Sequence, residues 1–204
     1  MDTISGYKDR AIASLSGKWG TCALAVLIYC LIIYAGSFIS LLTVGDSAFG
    51  SVINIIWSLA CVPLSWGLTV YFLDISRQNN PQYSQLFDGY KDFLRIILTY
   101  LCFGIAIGIG FLLLIVPGII IALMFSQAPF ILKDKPELSA IEVLSKSADM
   151  MKGHKMDLFL LGLSFIGWGI LAMLTLGLGF FLLIPYMYTT FAHFYDDLKK
   201  EYAM

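Results

Sequence analysis

The chain has two histidines in 204 residues, and one of them has acidic neighbours at helical spacing. His193 is followed by Asp196 and Asp197 at i+3 and i+4, which on a helix puts an imidazole and two carboxylates on one face. This candidate polar cluster has the ligand types of a metal site and the groups of a coupled titration. No second histidine is close by, and the sequence favours the reading of the trio as a polar helix end at headgroup level. His154, between Gly153 and Lys155, is expected to contact headgroups. Cys22, Cys30, Cys61 and Cys102 all fall in apolar stretches without C-x-x-C spacing, so they read as small apolar packers. No H-E-x-x-H, nucleophile elbow, P-loop or dinucleotide fingerprint is present. The expectation is a protein that is not an enzyme and takes no metal, cofactor or nucleic acid.

Three prolines carry a different kind of chemistry. Pro63, Pro117 and Pro185 are candidate helix kinks, each removing a backbone donor and freeing the carbonyl four residues earlier, at Leu59, Leu113 and Phe181. In lipid such carbonyls need partners, and Ser58, Ser65, Thr69, Ser126, Gln127, Ser164, Thr189 and Thr190 are near in sequence. Three kinks meeting near an axis would line a small polar cavity; kinks that serve packing alone are the alternative. Gly104 and Gly108 form a G-x-x-x-G spacing that reads as close helix contact. Tyr186-Met187-Tyr188, behind Pro185, suggests an aromatic-lined groove for lipid or ligand.

The elements that must position these residues are membrane spans. At 59% hydrophobic the chain holds about 120 apolar side chains, and roughly 20 make one crossing, enough for about six. Charged residues are 13%, about half the globular norm of roughly 25%, which excludes a soluble domain. The uncharged stretches are residues 19–45, 47–73, 96–132 and 158–195. As single helices the last two would be about 55 Å long against a hydrocarbon thickness of ~30 Å, so each is predicted to be two crossings joined by a turn. Gly104, Gly108 and Gly110 in one, and Gly177 and Gly179 in the other, mark the expected turns.

The distribution of positive charge supports that division. With six spans, all 13 basic residues, from Lys8, Arg10 and Lys18 to Lys199 and Lys200, fall on one face, and the opposite connections carry only Asp46. Both termini are then cytoplasmic, and Trp19 onward reads as an uncleaved signal anchor, because the charges before it break any signal-peptide core. No ionisable residue lies deep in a span, which argues against proton relays, ion couplers and voltage sensors.

Each predicted pair of spans follows a polar segment with helical periodicity. The stripes are Ile4, Tyr7, Ala11, Leu15; then Tyr83, Leu86, Phe87, Tyr90, Leu94; then Leu138, Ile141, Leu144, Ala148, Met151. Asn80 with Pro81, and Asp134 with Pro136, are the expected starts of the second and third. They read as amphipathic helices in the cytoplasmic interface; helices packed on the membrane domain are the alternative. Gly17, Gly89 and Gly153 each precede a span, and the acids Asp74, Asp134 and Asp196 each follow a proline-bearing span. Residues 108–117 (GIGFLLLIVP) align with 177–185 (GLGFFLLIP) with one residue inserted. The expected architecture is all-α: a single polytopic membrane domain over 1–204, built from three parallel repeats at about 1–78, 79–135 and 136–204, the first the most diverged.

Several of these segments together resemble a known family. They are Ile115-Val116-Pro117-Gly118-Ile119-Ile120, the Asp134 exit, Ser145 through Met151-Lys152-Gly153-His154-Lys155, Phe165-Ile166-Gly167-Trp168, Pro185-Tyr186 and Phe194-Tyr195. The family is the bacterial integral membrane family catalogued as domain of unknown function 975, and the likeness is strongest from about Gly108 to Tyr195. A more distant similarity is to the membrane domain attached to some glycerophosphodiester phosphodiesterases. The resemblance implies a multi-pass protein of the bacterial cytoplasmic membrane and brings no activity or catalytic residues. These 204 residues contain no phosphodiesterase domain, so that activity is not implied.

The function expected from all this is binding of membrane lipids or partner membrane proteins. Lys18, Lys91, Lys146, Lys152, His154 and Lys155 are the candidate interfacial lipid contacts. The alternative is a transporter or channel for a small apolar or weakly polar solute, resting on the three prolines.

Overall fold

The computed structural model describes residues 2–44 and 48–203. Among these residues the chain is all-helical, the form that satisfies every backbone donor and acceptor of an apolar chain without water. In chain order the helices are α1 (Ile4–Leu15), α2 (Trp19–Val44), α3 (Ala48–Ser76), a 3₁₀ segment (Tyr83–Tyr90), α4 (Phe93–Leu113), α5 (Ile115–Phe125), α6 (Ala128–Asp134), α7 (Ala140–Met150), α8 (Lys155–Leu163), α9 (Ile166–Leu174) and α10 (Phe180–Ala203). Asp46 lies outside the described residues.

Five stretches among the described residues are long and apolar enough to cross a membrane: Trp19–Ile39, Phe49–Ser76, Phe93–Leu113, Ile115–Asp134 and Lys155–Leu174. The sixth expected span corresponds to α10, which falls short on composition. After Ile184 it runs through Pro185, Tyr186, Tyr188, Thr189, Thr190 and His193. Its surroundings explain why. Thr189, Thr190, Ala192, His193, Phe194, Tyr195 and Leu198 are buried, and the helix packs against α1, α2, α3 and α9. A helix surrounded by protein does not need the uniformly apolar surface that lipid demands.

The helix breaks differ from expectation in one stretch and agree in the other. Gly104 and Gly108 lie inside α4, and the break falls at Leu114, in extended conformation at φ −167° and ψ 159°. Pro117 accounts for the shift. It occupies the first turn of α5, where its missing N–H has no intrahelical acceptor to lose, so a helix start just before it is favourable. Pro63 and Pro185, by contrast, lie inside α3 and α10. A Cβ at Gly104 or Gly108 would meet nothing within 4 Å, so the close contact read from their spacing is not made among the described residues. Gly110 and Gly118 make it instead: a Cβ at Gly110 would lie 2.9 Å from the Gly118 Cα. Phe103 of α4 also stands edge-on to Phe125 at the far end of α5. Between α9 and α10 the helix is broken by a turn through Leu176 and Gly177, at φ 54° and 87°, where the glycines predicted one.

The three amphipathic segments dock on protein. In α1 the stripe Tyr7, Ala11 and Leu15 is buried, Tyr7 edge-on to Phe194, so the alternative reading holds for that helix. The second segment is the 3₁₀ helix, which begins after Gln82 without a side-chain cap, not at Asn80. It lies against α3 backbone to backbone: a Cβ at Gly67 would collide with the Leu86 carbonyl and one at Gly89 with the Pro63 carbonyl. The third is α7, capped by Ser139 and Glu142 in a capping box and not by Asp134. Its buried face is Val143, Leu144, Ser147 and Met150, while Ile141 is exposed. At the other two junctions Gly17 and Gly153 have φ of 75° and 86°, which lets the chain turn into the next helix.

Candidate functional site

The densest polar structure forms where α3, α6 and α10 end. α3 stops at Ser76, and the next residue, Arg77, takes two carboxylates with one guanidinium. Its Nη1 and Nη2 each donate to Asp134 at 2.8 Å, a two-pronged match of fork to carboxylate. Its Nε and Nη2 donate to Asp196 Oδ1 at 3.2 and 2.7 Å. Asp134, whose side chain is only 8% exposed, also accepts from Lys199 Nζ at 2.6 Å and from the Tyr195 hydroxyl at 3.1 Å. The hydrogen bonds to Asp134, ahead of those to Asp196, outweigh burial and raise the Arg77 pKa, so this cation stays charged.

A second group joins α1 to α10. Arg10 Nη1 donates to Asp197 Oδ2 at 2.7 Å, and its Nη2 reaches Asp197 Oδ1 at 3.3 Å and His193 Nδ1 at 3.5 Å. A guanidinium can only donate, so Nδ1 is the accepting nitrogen and Nε2 carries the proton toward Ser14 Oγ at 3.0 Å. The second lone pair of Ser14 Oγ is left for Gln78 Nε2 at 3.1 Å. Burial alone would raise the Asp197 carboxyl, but the hydrogen bond and charge of Arg10, with Lys200, hold it below the ordinary carboxylate range. Between the two groups lies an open pocket of about 460 Å³ lined by Arg10, Ser76, Arg77, His193, Asp196, Lys199 and Lys200.

The expected polar trio is thus divided. His193 and Asp197 turn toward α1, while Asp196 turns toward Arg77. Among the described residues no three His, Cys, Asp or Glu side chains are grouped to hold a metal ion. Sequence reading did not find Arg10, Ser14 and Arg77 as members of this site. The available signal was the pairing of Arg77, just past Asp74, with the matching exit acids Asp134 and Asp196.

The candidate lipid contacts are near the surface and most have partners. Lys18 Nζ donates to the Asn79 carbonyl at 3.1 Å, Lys91 pairs with Asp88 and Lys152 with Asp149, both at 2.7 Å. His154 lies 3.3 Å from Asp157 and 3.2 Å from Glu201. Lys146 Nζ sits over the Tyr202 ring at 5.5 Å, and Lys155 opens α8 half-buried. Phe87, Tyr90 and Phe93 form an exposed stack beside Lys91, with ring centroids 6.3 and 6.4 Å apart.

The hydroxyls expected to serve the proline-freed carbonyls mostly bond within their own helices. Ser58 donates to Asn54, Ser65 to Val62, Thr69 to Ser65, Ser126 to Leu123, Ser164 to Leu161 and Thr190 to Tyr186. The run after Pro185 also divides. Tyr186 faces an open groove of about 520 Å³ with Trp19 and Trp168, whereas Tyr188 packs on Phe72, with ring centroids 5.7 Å apart.

No curated protein and no solved structure matches this chain. The more distant similarity to the membrane domain of glycerophosphodiester phosphodiesterases is not shown. Residues 109–202, which hold Asp134, His193, Asp196 and Asp197, match the family model described as Protein of unknown function (DUF975), the family the sequence resembles.

Proposed function

We propose that the chain is a non-enzymatic, six-span protein of the bacterial cytoplasmic membrane that binds anionic lipid headgroups along its cytoplasmic face. The observation that carries this reading is the junction at Arg77. It ties the ends of α3, α6 and α10 together, and Arg10 and Lys18 attach the N-terminal segment to the same place. Such convergence is what spans with all their basic ends on one face require, and the positive-inside rule makes that face cytoplasmic. The contacts of Gly110 with Gly118 and of Phe103 with Phe125 support α4 and α5 as one hairpin, and the turn at Gly177 supports α9 and α10 as another. α10 is then the sixth span, shielded from lipid by its neighbours. The threefold repeat draws support from Asp134 and Asp196, equivalent exits that meet on one guanidinium.

Around the pocket, four cations (Arg10, Arg77, Lys199, Lys200) stand against four carboxylates (Asp134, Asp196, Asp197, and Asp2 at 3.6 Å from Arg10), so the charges balance, and the most exposed of them are Lys199 and Lys200. Lys146, Lys152 and Lys155 extend the basic surface, and the Phe87, Tyr90 and Phe93 stack provides aromatic side chains suited to the headgroup level. Replacing Lys146, Lys152 and Lys155 with glutamine should weaken retention of phosphatidylglycerol in native mass spectrometry. Retention equal to the parent protein would refute headgroup binding at this surface.

A further inference from the structure

A second pocket, of about 610 Å³, opens among α3, α4, α8 and α10. This is within the roughly 300–1,000 Å³ typical of small-molecule sites. Its walls include Tyr100, Phe130, Leu158, Met187 and Phe191, and among the described residues no charged side chain lines it. One polar group in that wall is incomplete. Gln127, 2% exposed, lies between α5 and α6, and its Oε1, covered by neighbouring atoms, has no hydrogen-bond partner among the described residues. The amide orientation follows from its neighbour. Ser126 Oγ donates to the Leu123 carbonyl at 2.7 Å, so its lone pairs face Gln127 and must receive the amide nitrogen, at 2.9 Å. The unpaired atom is therefore a carbonyl oxygen, an acceptor awaiting a donor. It lies seven residues before Asp134, about 10 Å along the chain at helical rise, where an unmet acceptor costs more than at the surface.

We infer that this pocket holds an uncharged lipid whose free hydroxyl donates to Gln127 Oε1, the amide turning toward the pocket to receive it, while its hydrocarbon chain lies against the aromatic and aliphatic wall. An anionic headgroup would find no counter-charge here, and a lipid without a donor would leave Oε1 unpaired. This site is independent of the basic surface proposed above, because it uses different residues and a neutral ligand.

The test is retention by the purified full chain in native mass spectrometry of monoolein, oleyl alcohol, methyl oleate and phosphatidic acid. Monoolein supplies the hydroxyl on a glyceride and oleyl alcohol on a bare chain; methyl oleate has the chain and no donor. At least one hydroxyl lipid should bind about tenfold more tightly than methyl oleate, the ratio that one hydrogen bond confers. Gln127→Leu should abolish that difference while leaving methyl oleate unchanged. Gly162 lines the pocket and a Cβ there meets nothing within 4 Å, so Gly162→Phe should fill it and reduce retention of all the neutral lipids. Neutralising Lys146, Lys152 and Lys155 should leave the hydroxyl lipids bound as before. Equal retention of hydroxyl lipids and methyl oleate, preference for phosphatidic acid at this site, or an undiminished difference in Gln127→Leu would overturn the inference.

Discussion

The helices of this protein stop in two kinds of place. Where α3 and α6 end against the last turns of α10, the charges are joined in pairs: Arg77 holds Asp134 and Asp196, Arg10 holds Asp197, and Lys199 closes on Asp134. In the connections at residues 112–116 and 174–178, among the described residues, side chains other than Thr175 are apolar and bare, with Leu112 87% and Leu176 95% exposed. Exposed leucine in water forfeits about 25 cal/mol for each Å² left unburied, so those connections suit a hydrocarbon surrounding. The contrast shows two ways of fixing a bundle. One end is held by directional bonds that name their partners, and the other presents bare apolar side chains of the kind that lipid suits.

The largest effect should come from dismantling the charged end. Arg77→Ala leaves Asp134 and Asp196 without their shared cation, and should cost about 3 kcal/mol, the lower range for breaking a buried pair. Thermal unfolding in detergent would register it, and Arg77→Lys should recover only part, because an ammonium cannot match two carboxylates in a plane. Next is the close seating of the 3₁₀ segment. Gly89→Ala drives a Cβ into the Pro63 carbonyl and should cost about 2 kcal/mol, whereas Gly104→Ala meets open space and should gain a few tenths or more in helix propensity. An equal loss in both would show that the junction is looser than described.

The Arg10–Asp197 pair should contribute about 1 kcal/mol, being partly exposed. The folded state lowers the Asp197 pKa, so this contribution is present above the ordinary carboxylate value near 4 and is lost as pH falls through the lower folded value. Acid melts of the parent protein and Asp197→Asn should converge at low pH and separate above about pH 4. The smallest effect belongs to the bare end. Leu176 adopts φ 54°, a region unfavourable to leucine, so Leu176→Gly should stabilise by a few tenths of a kcal/mol. A large loss there would mean that the bare connections are anchored by their side chains.

What the sequence made legible follows from range. The turn near Gly177 was readable because glycine's backbone freedom is a local property, and the apolar stretches because lipid compatibility is a sum over neighbours. The break at Leu114 was not, since no turn residue marks it. It is set by Pro117 three residues on and by the seating of Gly110 against Gly118. The acids Asp134 and Asp196 stood out as equivalent exits, but their common partner Arg77 is 57 and 119 residues away, and periodicity carries no such pairing. The same limit explains α1: its stripe reads identically whether lipid or α10 covers it, and only the contacts of Tyr7 with Phe194 and Arg10 with Asp197 decide.

The central claim is that the ends gathered at Arg77 share one face of the membrane, opposite the apolar connections. Single cysteines in a chain cleared of Cys22, Cys30, Cys61 and Cys102 can report it, using a membrane-impermeant maleimide on intact spheroplasts. Cysteine at position 146 should label only after permeabilisation, and cysteine at position 46 should label before it. Labelling of position 146 from outside in intact spheroplasts would contradict the account.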